Sequence, residues 1–377
     1  MDFDFPNPVK IVKRTAREFA EGAIAPLVEK METGGEFPKA LIRKMGDVGL
    51  LGLLVPRNYG GSALGYLART VAVQEVSRVS PAVGIALQVH HMQTAAVLDW
   101  GSKTQKEKYL PALCRGEYLG TVAVTEPTGG SDLLGMASTA KAEKGDYVLN
   151  GRKCFITNAH LCGAPVIVVK TGEGSRGLSA FIVDKATRGF SAGREEHKMG
   201  LRGANTGELI FKNCRVRAGN LLGDEGEGMK AALKTISEVG RPGMAAVALG
   251  ILEAALEEGV KFAKGRTLYG KPISNLQAIQ WHIADIYTEA ETAKLVCYRA
   301  CWLKDQGREC ATDMVMGKVV ATEAACRATR KALDIHGGCG SMLEFPIQRL
   351  WRDAMVCVSA GGTTEIGKLV MSRAALS

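Results

Sequence analysis

The spacing of apolar residues predicts helices over the first third of the chain. After Asn7-Pro8, which is typical of a helix start, apolar side chains recur every three or four positions as far as Ala20. Phe37-Pro38 begins a second predicted helix, and residues 56–61 form a loop. Further helices are predicted at residues 66–79, 81–100 and 104–114.

The pattern changes near residue 118, where short alternating runs replace the helical spacing. Strands are predicted at residues 139–142, 147–150 and 153–157, with turns at Lys144-Gly145-Asp146 and Asn150-Gly151. Residues 166–170, 178–184 and 208–216 continue the series. Short strands without intervening helices favour an antiparallel barrel or a sandwich.

Helical spacing returns after Gly226, in four stretches at residues 242–265, 276–306, 311–335 and 363–375. The predicted fold class is therefore α+β and multidomain. An N-terminal α-helical domain (1–117) precedes a middle antiparallel β-barrel (118–225) and a C-terminal helical bundle (226–377).

Composition narrows the class of protein without selecting a function. The 377 residues are 46% hydrophobic and 23% charged, and the net charge is +9. Because the basic residues are dispersed, a nucleic-acid-binding surface is not indicated, and an anionic small ligand explains the excess equally well. No apolar run reaches the ~18 residues of a membrane span, and the acidic N-terminus does not resemble a signal peptide, so a cytoplasmic protein is expected.

The ten cysteines include no CxxC pair, and we predict free thiols rather than disulfides. Cys297 and Cys301, four residues apart on a helix, could bind a metal but are expected to pack. No metal site is predicted.

Two segments of the middle region carry candidate chemistry. In Val122–Asp132, a strand ends in a turn containing Gly130 and Ser131, which can hold a planar polar ring or a phosphate, or can be an ordinary turn. In residues 153–159, Phe155 and Thr157 lie on one face of a strand, which could equally be plain sheet.

Two segments of the C-terminal region are also candidates. Arg266, followed by Tyr269 and Gln277, is a donor suited to a pyrophosphate, or a solvated loop arginine. The run from Asp334 to Gly340 has glycines that let the backbone approach a ligand, or that end a helix.

Together the four segments resemble the acyl-CoA dehydrogenase family of FAD enzymes over essentially the whole chain. Residues 108–111, 198–203 and 351–354 add matching pieces in the same order. The family's fold is an α-helical domain, a β-barrel and a C-terminal four-helix domain. The resemblance implies α,β-dehydrogenation of an acyl-CoA thioester by FAD, with transfer of electrons to an electron-transferring flavoprotein and a homotetrameric assembly.

The resemblance also implies roles for individual residues. Those expected to bind FAD are Val122, Val124, Thr125, Gly130, Ser131, Phe155, Thr157, Arg266, Tyr269, Gln277, Asp334, Gly337, Gly338, Thr363 and Glu365. Those expected to contact the CoA substrate are Ser131, Glu238 and Arg241. The segment from Asp334 to Gly338 would reach the FAD of a neighbouring subunit.

The sequence departs from the family at the general base. The usual glutamate position is Gly361, and the less common position before Arg241 is Gly240. The Gly361 N–H can still polarise the thioester oxygen, but glycine cannot accept a proton. His90, His91 or Glu238 could have taken over as base, although the histidines could be a packing pair and Glu238 could bind the substrate.

Other flavin chemistry would also be compatible with the missing glutamate. The alternatives are enoyl-CoA reduction, an eliminating or desulfinating activity, and a non-catalytic acyl-CoA-binding flavoprotein. If the acyl chain were acidic, we would expect an arginine in the pocket on the helix at residues 81–100. That helix has no arginine, which disfavours an acidic acyl chain. The space left by the two glycines suggests a bulky, branched or alicyclic acyl group.

Overall fold

The computed structural model describes residues 4–174 and 176–377, and its N-terminal region is helical. The helices are α1 (Asn7–Phe19), α2 (Val28–Gly34), α3 (Lys39–Asp47), α4 (Gly65–Val79), α5 (Pro81–Trp100) and α6 (Lys103–Cys114). Helix α5 is buried along nearly its whole length and begins at Ser80, whose hydroxyl accepts from the Val83 N–H. This helix forms one wall of the site described below.

The described residues of the middle region form one eight-stranded sheet. Its strands are β1 (Val122–Ala123), β2 (Thr139–Glu143), β3 (Asp146–Thr157), β4 (Val166–Lys170), β5 (Leu178–Ile182), β6 (Phe190–Glu195), β7 (Thr206–Arg217) and β8 (Leu221–Leu222). The order is β6-β7-β3-β2-β4-β5-β8, with β1 paired to β4. The predicted middle β region is present.

The predicted barrel, however, is not seen as a closed barrel. Strands β6 and β8 stand at opposite ends of the pairing path, and among the described residues the sheet does not close between them. Nor is the sheet wholly antiparallel, since β1 and β2 each pair with β4 in parallel.

The turn predicted at Asn150-Gly151 is also wrong. Strand β3 runs without interruption through both residues, and the pairing register with β7 shifts there instead. Gly151 has φ +144°, and a Cβ on it would be 2.2 Å from Ser138 Oγ, so glycine permits a close crossing of the backbone within the strand. The dipeptide marks a bulge and not a turn.

The C-terminal region is again helical. It contains α7 (Gly228–Thr235), α8 (Arg241–Gly265), a small hairpin of β9 (Thr267–Leu268) and β10 (Lys271–Pro272), α9 (Gln277–Asp305), α10 (Ala311–His336), α11 (Ile347–Ser359) and α12 (Thr364–Leu376). A π-helical turn, Ile236–Gly240, joins α7 to α8. Helices α8, α9 and α10 pack on one another, and α11 packs on α8 and α10.

One apolar core joins the two helical regions, because α4 and α8 are in contact along their lengths. By length and composition the helical stretch Gly228–Gly265 could cross a membrane, but 83% of its most apolar window is buried inside the protein. It therefore has the surroundings of a core helix.

Candidate active site

A cavity of ≈ 720 Å³ lies between the sheet and the helices α5, α8 and α11. Eight residues that the sequence assigns to FAD line it: Val122, Val124, Thr125, Gly130, Ser131, Phe155, Thr157 and Thr363. The predicted substrate residue Arg241 and both base-position glycines, Gly240 and Gly361, line it as well. Segments far apart in the sequence thus meet around one space.

Phe155 is presented to this cavity by a local irregularity in β3. The register between β3 and β7 shifts between Lys153 and Ile156, and Phe155 has the left-handed φ of +56°. A bulge of this kind re-aims a side chain. The ring of Phe155, although apolar, is 64% exposed to the cavity and solvent.

The sheet side of the cavity offers polar groups for a planar ligand. The hydroxyls of Thr125, Ser131 and Thr157 line it, and within residues 4–174 and 176–377 the structure records no hydrogen bond made by any of these hydroxyls. A Cβ on Gly130 would be 3.0 Å from Thr125 Oγ1, so glycine keeps this hydroxyl accessible. An exposed aromatic ring beside unused hydroxyls fits the isoalloxazine of FAD, which is flat and carries hydrogen-bonding edges.

The base-position glycines lie at the helical side. Gly361 has φ +70° and Gly362 φ +105°, a conformation that favours glycine. The Lys318 ammonium, itself buried, donates to the carbonyls of Val358 and Gly362 and fixes this turn from behind. Burial lowers the Lys318 pKa to about 8.

Two methionines reduce the space expected beside the glycines. A Cβ on Gly361 would be 3.2 Å from Met244 Cγ, and one on Gly240 would be 3.2 Å from Met92 Cε. Both methionines line the cavity. Their side chains are flexible, so the space is adjustable and not simply empty.

His90 and His91 do not line the cavity. His90 Nδ1 accepts from the Gly120 N–H at 3.0 Å, and its Nε2 donates to Leu51 O at 3.1 Å. His91 Nδ1 accepts from Arg69 Nε at 3.3 Å, and its Nε2 donates to Leu50 O at 2.9 Å.

Both imidazoles are fully buried, and burial lowers the pKa of His90 to about 4 and that of His91 well below its ordinary value. With both nitrogens of each ring engaged and neither ring at the cavity, the geometry argues against either histidine as the base.

Glu238 is likewise turned away. It lies in the π-helical turn, and its carboxylate is 2.7 Å from Lys304 Nζ. Arg241, by contrast, is half-buried at the cavity and donates to Ser237 Oγ at 3.2 Å. The turn therefore directs Gly240 and Arg241 to the site and leaves Glu238 in an ion pair.

The remaining predicted FAD residues do not line this cavity. Arg266, Tyr269 and Gln277 are exposed at the β9–β10 hairpin and the start of α9, and Tyr269 is 94% exposed. Asp334 and Gly337 border a second cavity of ≈ 400 Å³ beside Trp351, with Gly338 next in sequence. Glu365 lies in the first turn of α12, whose N-cap is Thr363.

The cavity also contains residues that the sequence reasoning did not select. Glu196, His197 and Lys198 line it from the sheet side, close to Thr206. Glu196 is bonded to Arg194 at 2.7 Å, and Lys198 donates to Ala204 O at 2.8 Å. Residues 198–203 carried the family resemblance, which was the available signal for this loop.

The comparisons with known proteins agree with this architecture. Three family models match: acyl-CoA dehydrogenase N-terminal domain at residues 9–117, middle domain at 121–214 and C-terminal domain at 226–376. The chain belongs to the acyl-CoA dehydrogenase family. It is an FAD-dependent oxidoreductase that acts on the CH–CH group of an acyl-CoA thioester.

Individual relatives cover nearly all of the chain. It is 44% identical to an acyl-CoA dehydrogenase of Bacillus subtilis over 366 residues, 96% of both chains. It is 41% identical to an acryloyl-CoA reductase (NADH) of Anaerotignum propionicum, over 99% of this chain and 95% of that one. The structure of butyryl-CoA dehydrogenase from Megasphaera elsdenii superposes with a TM-score of 0.98 at 35% identity and covers all of both chains.

In the part of the chain that the structure describes, no cluster of three or more His, Cys, Asp or Glu could hold a metal ion. The cysteines are free thiols, and Cys297 and Cys301 are buried. Cys301 Sγ is 3.1 Å from Thr70 Oγ1. The pair packs between helices as expected.

Proposed function

We propose that this member of the family dehydrogenates the α,β-bond of its acyl-CoA without a glutamate base at the usual position. The observation that supports this is the composition of the helical wall. Its cavity-lining residues include Gln88, Met92, Met244 and Gly361, and among the described residues of that wall only Arg241 is charged. This wall therefore supplies no acceptor for the α-proton, which would pass to solvent water at the cavity or to the Glu196 carboxylate, which lines the cavity from the sheet side.

The chain's own residues would hold the reactants as follows. Thr125, Ser131 and Thr157 would bond the edge of the flavin, and Phe155 would cover one face. When bound, FAD supplies the hydride acceptor of the reaction. The Gly361 N–H would donate to the thioester oxygen, which needs no side chain. Arg241 would pair with the anionic part of the CoA ester.

The acyl group is proposed to be bulky, branched or alicyclic. Met92 and Met244 can move aside, and a wide acyl group would fill the space that a glutamate side chain occupies in relatives. The experiment is anaerobic flavin bleaching with a panel of CoA thioesters. If butyryl-CoA or octanoyl-CoA bleaches the flavin faster than branched or alicyclic thioesters, this part of the proposal fails.

Enoyl-CoA reduction is the second candidate, because a relative at 41% identity is an acryloyl-CoA reductase. The test is to reduce the enzyme chemically and then add an enoyl-CoA under anaerobic conditions. Reoxidation of the flavin many times faster than its reduction by the corresponding acyl-CoA would favour this direction. If neither reaction occurs and the thioester still binds, the protein is a non-catalytic acyl-CoA-binding flavoprotein.

The assembly proposed is a homotetramer built on the C-terminal bundle, for which we take α8, α9, α10 and α11 as the four helices. Helix α9 exposes Trp281, Leu295 and Trp302, spaced by 14 and 7 residues and hence near one face. A second subunit packed against this face of α9 would also contact Arg266 and Tyr269. The electron acceptor proposed is an electron-transferring flavoprotein, as the family resemblance implies.

A further inference from the structure

Arg69 is a buried cation without an anionic partner among the described residues. It lies on α4 with no exposed surface. Its Nε donates to His91 Nδ1 at 3.3 Å and its Nη2 to the carbonyl of Gln88 at 3.4 Å, both long bonds, while Nη1 has no partner within residues 4–174 and 176–377. No carboxylate of the described residues lies within ion-pair distance of it.

Burying an unpaired charge lowers the stability of the folded protein, which is unexpected for a residue that only packs. A guanidinium has five N–H donors, and a buried charge is normally paired. Burial lowers the Arg69 pKa to about 10, which still leaves it charged near neutral pH. The neighbouring Tyr66 and Cys301 do not supply the missing charge, because burial raises the pKa of both groups.

The side chain of Gln88, which lines the cavity, lies between the cavity and the Arg69 guanidinium. A Cβ on Gly243 would be 2.5 Å from Arg69 Nη2 and 2.4 Å from Gln88 Oε1, so both atoms lie against the same backbone position. Gln88 lines the cavity, and its Oε1 is buried without a hydrogen bond to any residue that the structure describes. Its Nε2 makes a 3.5 Å contact with the sulfur of Met244, which also lines the cavity.

We propose that the pocket selects an acyl-CoA whose acyl chain carries a terminal carboxylate, which pairs with Arg69 after the Gln88 side chain moves aside. A carboxylate can accept two parallel hydrogen bonds from a guanidinium, which would use Nη1 and Nη2 together. The arginine lies on α4, which packs against α5, the helix on which an acidic acyl chain was expected to find its arginine. The inference rests on the proposed function, because it requires acyl-CoA in this cavity; it concerns the charge at the far end of the acyl chain and not the width of the chain beside Gly361.

The experiment compares two thioesters of equal chain length, glutaryl-CoA and pentanoyl-CoA, in equilibrium binding to the FAD-loaded enzyme. Charge-assisted hydrogen bonds in a buried site predict about 10–100-fold tighter binding of glutaryl-CoA. Equal binding, or tighter binding of pentanoyl-CoA, overturns the proposal. If neither thioester binds, it is the proposed function that fails.

Substitutions at Arg69 test whether this residue causes the preference for glutaryl-CoA. Arg69→Met is expected to bind the two thioesters equally or to prefer pentanoyl-CoA, whereas Arg69→Lys keeps part of the preference for glutaryl-CoA. Arg78→Met, on the same helix but paired with Glu21 and Glu257, is the matched control and should keep the full preference. A preference that survives Arg69→Met overturns the proposal, and if that variant does not fold, the unmodified enzyme with the two thioesters decides.

Discussion

Lys153 and Glu126 form an ion pair in the interior of the protein, with Nζ 2.7 Å from Oε1 and the side chains 0% and 3% exposed. Lys153 also donates to Val124 O at 3.1 Å, and Glu126 accepts from the backbone of Ala137 and Ser138. The pair therefore ties the strand that presents Phe155 to the turn that presents Ser131. It sets the spacing of the two segments proposed to hold the flavin.

Removing the cation from this pair should damage both stability and cofactor binding. Lys153→Met would leave the Glu126 carboxylate buried without its partner, at a cost of about 3–5 kcal/mol of unfolding free energy. Urea unfolding and retention of FAD on gel filtration are the measurements. The control is Arg152→Met, whose ion pair with Glu208 at 3.4 Å is half-exposed and should cost less than about 1 kcal/mol. Equal losses in the two variants would contradict this role.

Restoring a carboxylate at residue 361 should accelerate dehydrogenation. For Gly361→Glu we expect flavin reduction by acyl-CoA to rise by about 10²–10⁴-fold, the usual contribution of a general base. The left-handed φ of +70° should cost about 1–3 kcal/mol of stability, and Met244 must shift. Anaerobic stopped-flow bleaching measures the rate.

The control for that variant is Gly361→Gln, which has the same size and strain but accepts no proton. It should show the loss of stability without the gain in rate. Equal rates in the two variants would mean that proton abstraction is not what the natural glycine lacks.

His91→Ala and His90→Ala should lower stability without stopping flavin reduction. Each imidazole makes two buried hydrogen bonds, so its loss should cost about 1–3 kcal/mol. The thermal midpoint and the rate of substrate bleaching are to be measured on FAD-loaded protein. If a variant keeps its FAD but the substrate no longer reduces the flavin, the substituted histidine takes part in the reaction.

The sequence predicted the order of helical and β regions because apolar spacing and turn residues are local signals. Through the family resemblance it also assigned Thr125, Ser131, Phe155 and Thr157 to one ligand, and all four line one cavity. It failed at Asn150-Gly151, where a dipeptide typical of turns forms a bulge, because the bulge depends on pairing with β7 and on the close approach of Ser138, which are distant in sequence. It also missed Arg69, because nothing local to α4 shows that the residue lies behind Gln88.

The buried Lys318 should make stability depend on alkaline pH. Its pKa is lowered to about 8 in the folded protein from its ordinary 10.5, so between these values the unfolded chain binds more protons. The contribution of Lys318 to the unfolding free energy should therefore rise as the pH rises from about 8 to 10.5, and the difference between the unmodified protein and a variant at this residue measures it. Lys318→Met should flatten this rise, and Lys103→Met, whose side chain is 84% exposed, should not. Denaturant midpoints across this range test it, and an unchanged slope in Lys318→Met would count against the shift.

The exposed aromatic face of α9 should govern assembly. Trp281→Glu places a charge where a 65%-exposed indole is proposed to meet a partner. Light scattering after gel filtration should then report a smaller species than the unmodified protein forms, with weaker retention of FAD. Glu289→Gln, on the same helix, would lose an ion pair with Arg327 and should leave the mass unchanged. A full-sized assembly in Trp281→Glu would remove this face from the interface.

The continuity of β3 has a consequence for how the protein tolerates length changes. Extra residues in the Lys144–Gly145 turn would enlarge a loop at the far end of the strand and leave the pairing with β7 in place. One extra residue between Gly151 and Phe155 would instead exchange inward and outward side chains from that point on. The Phe155 ring, which faces the cavity, would then point to the opposite face of the sheet. A single residue inserted there should therefore abolish FAD binding and the yellow colour, whereas one inserted in the Lys144–Gly145 turn should not.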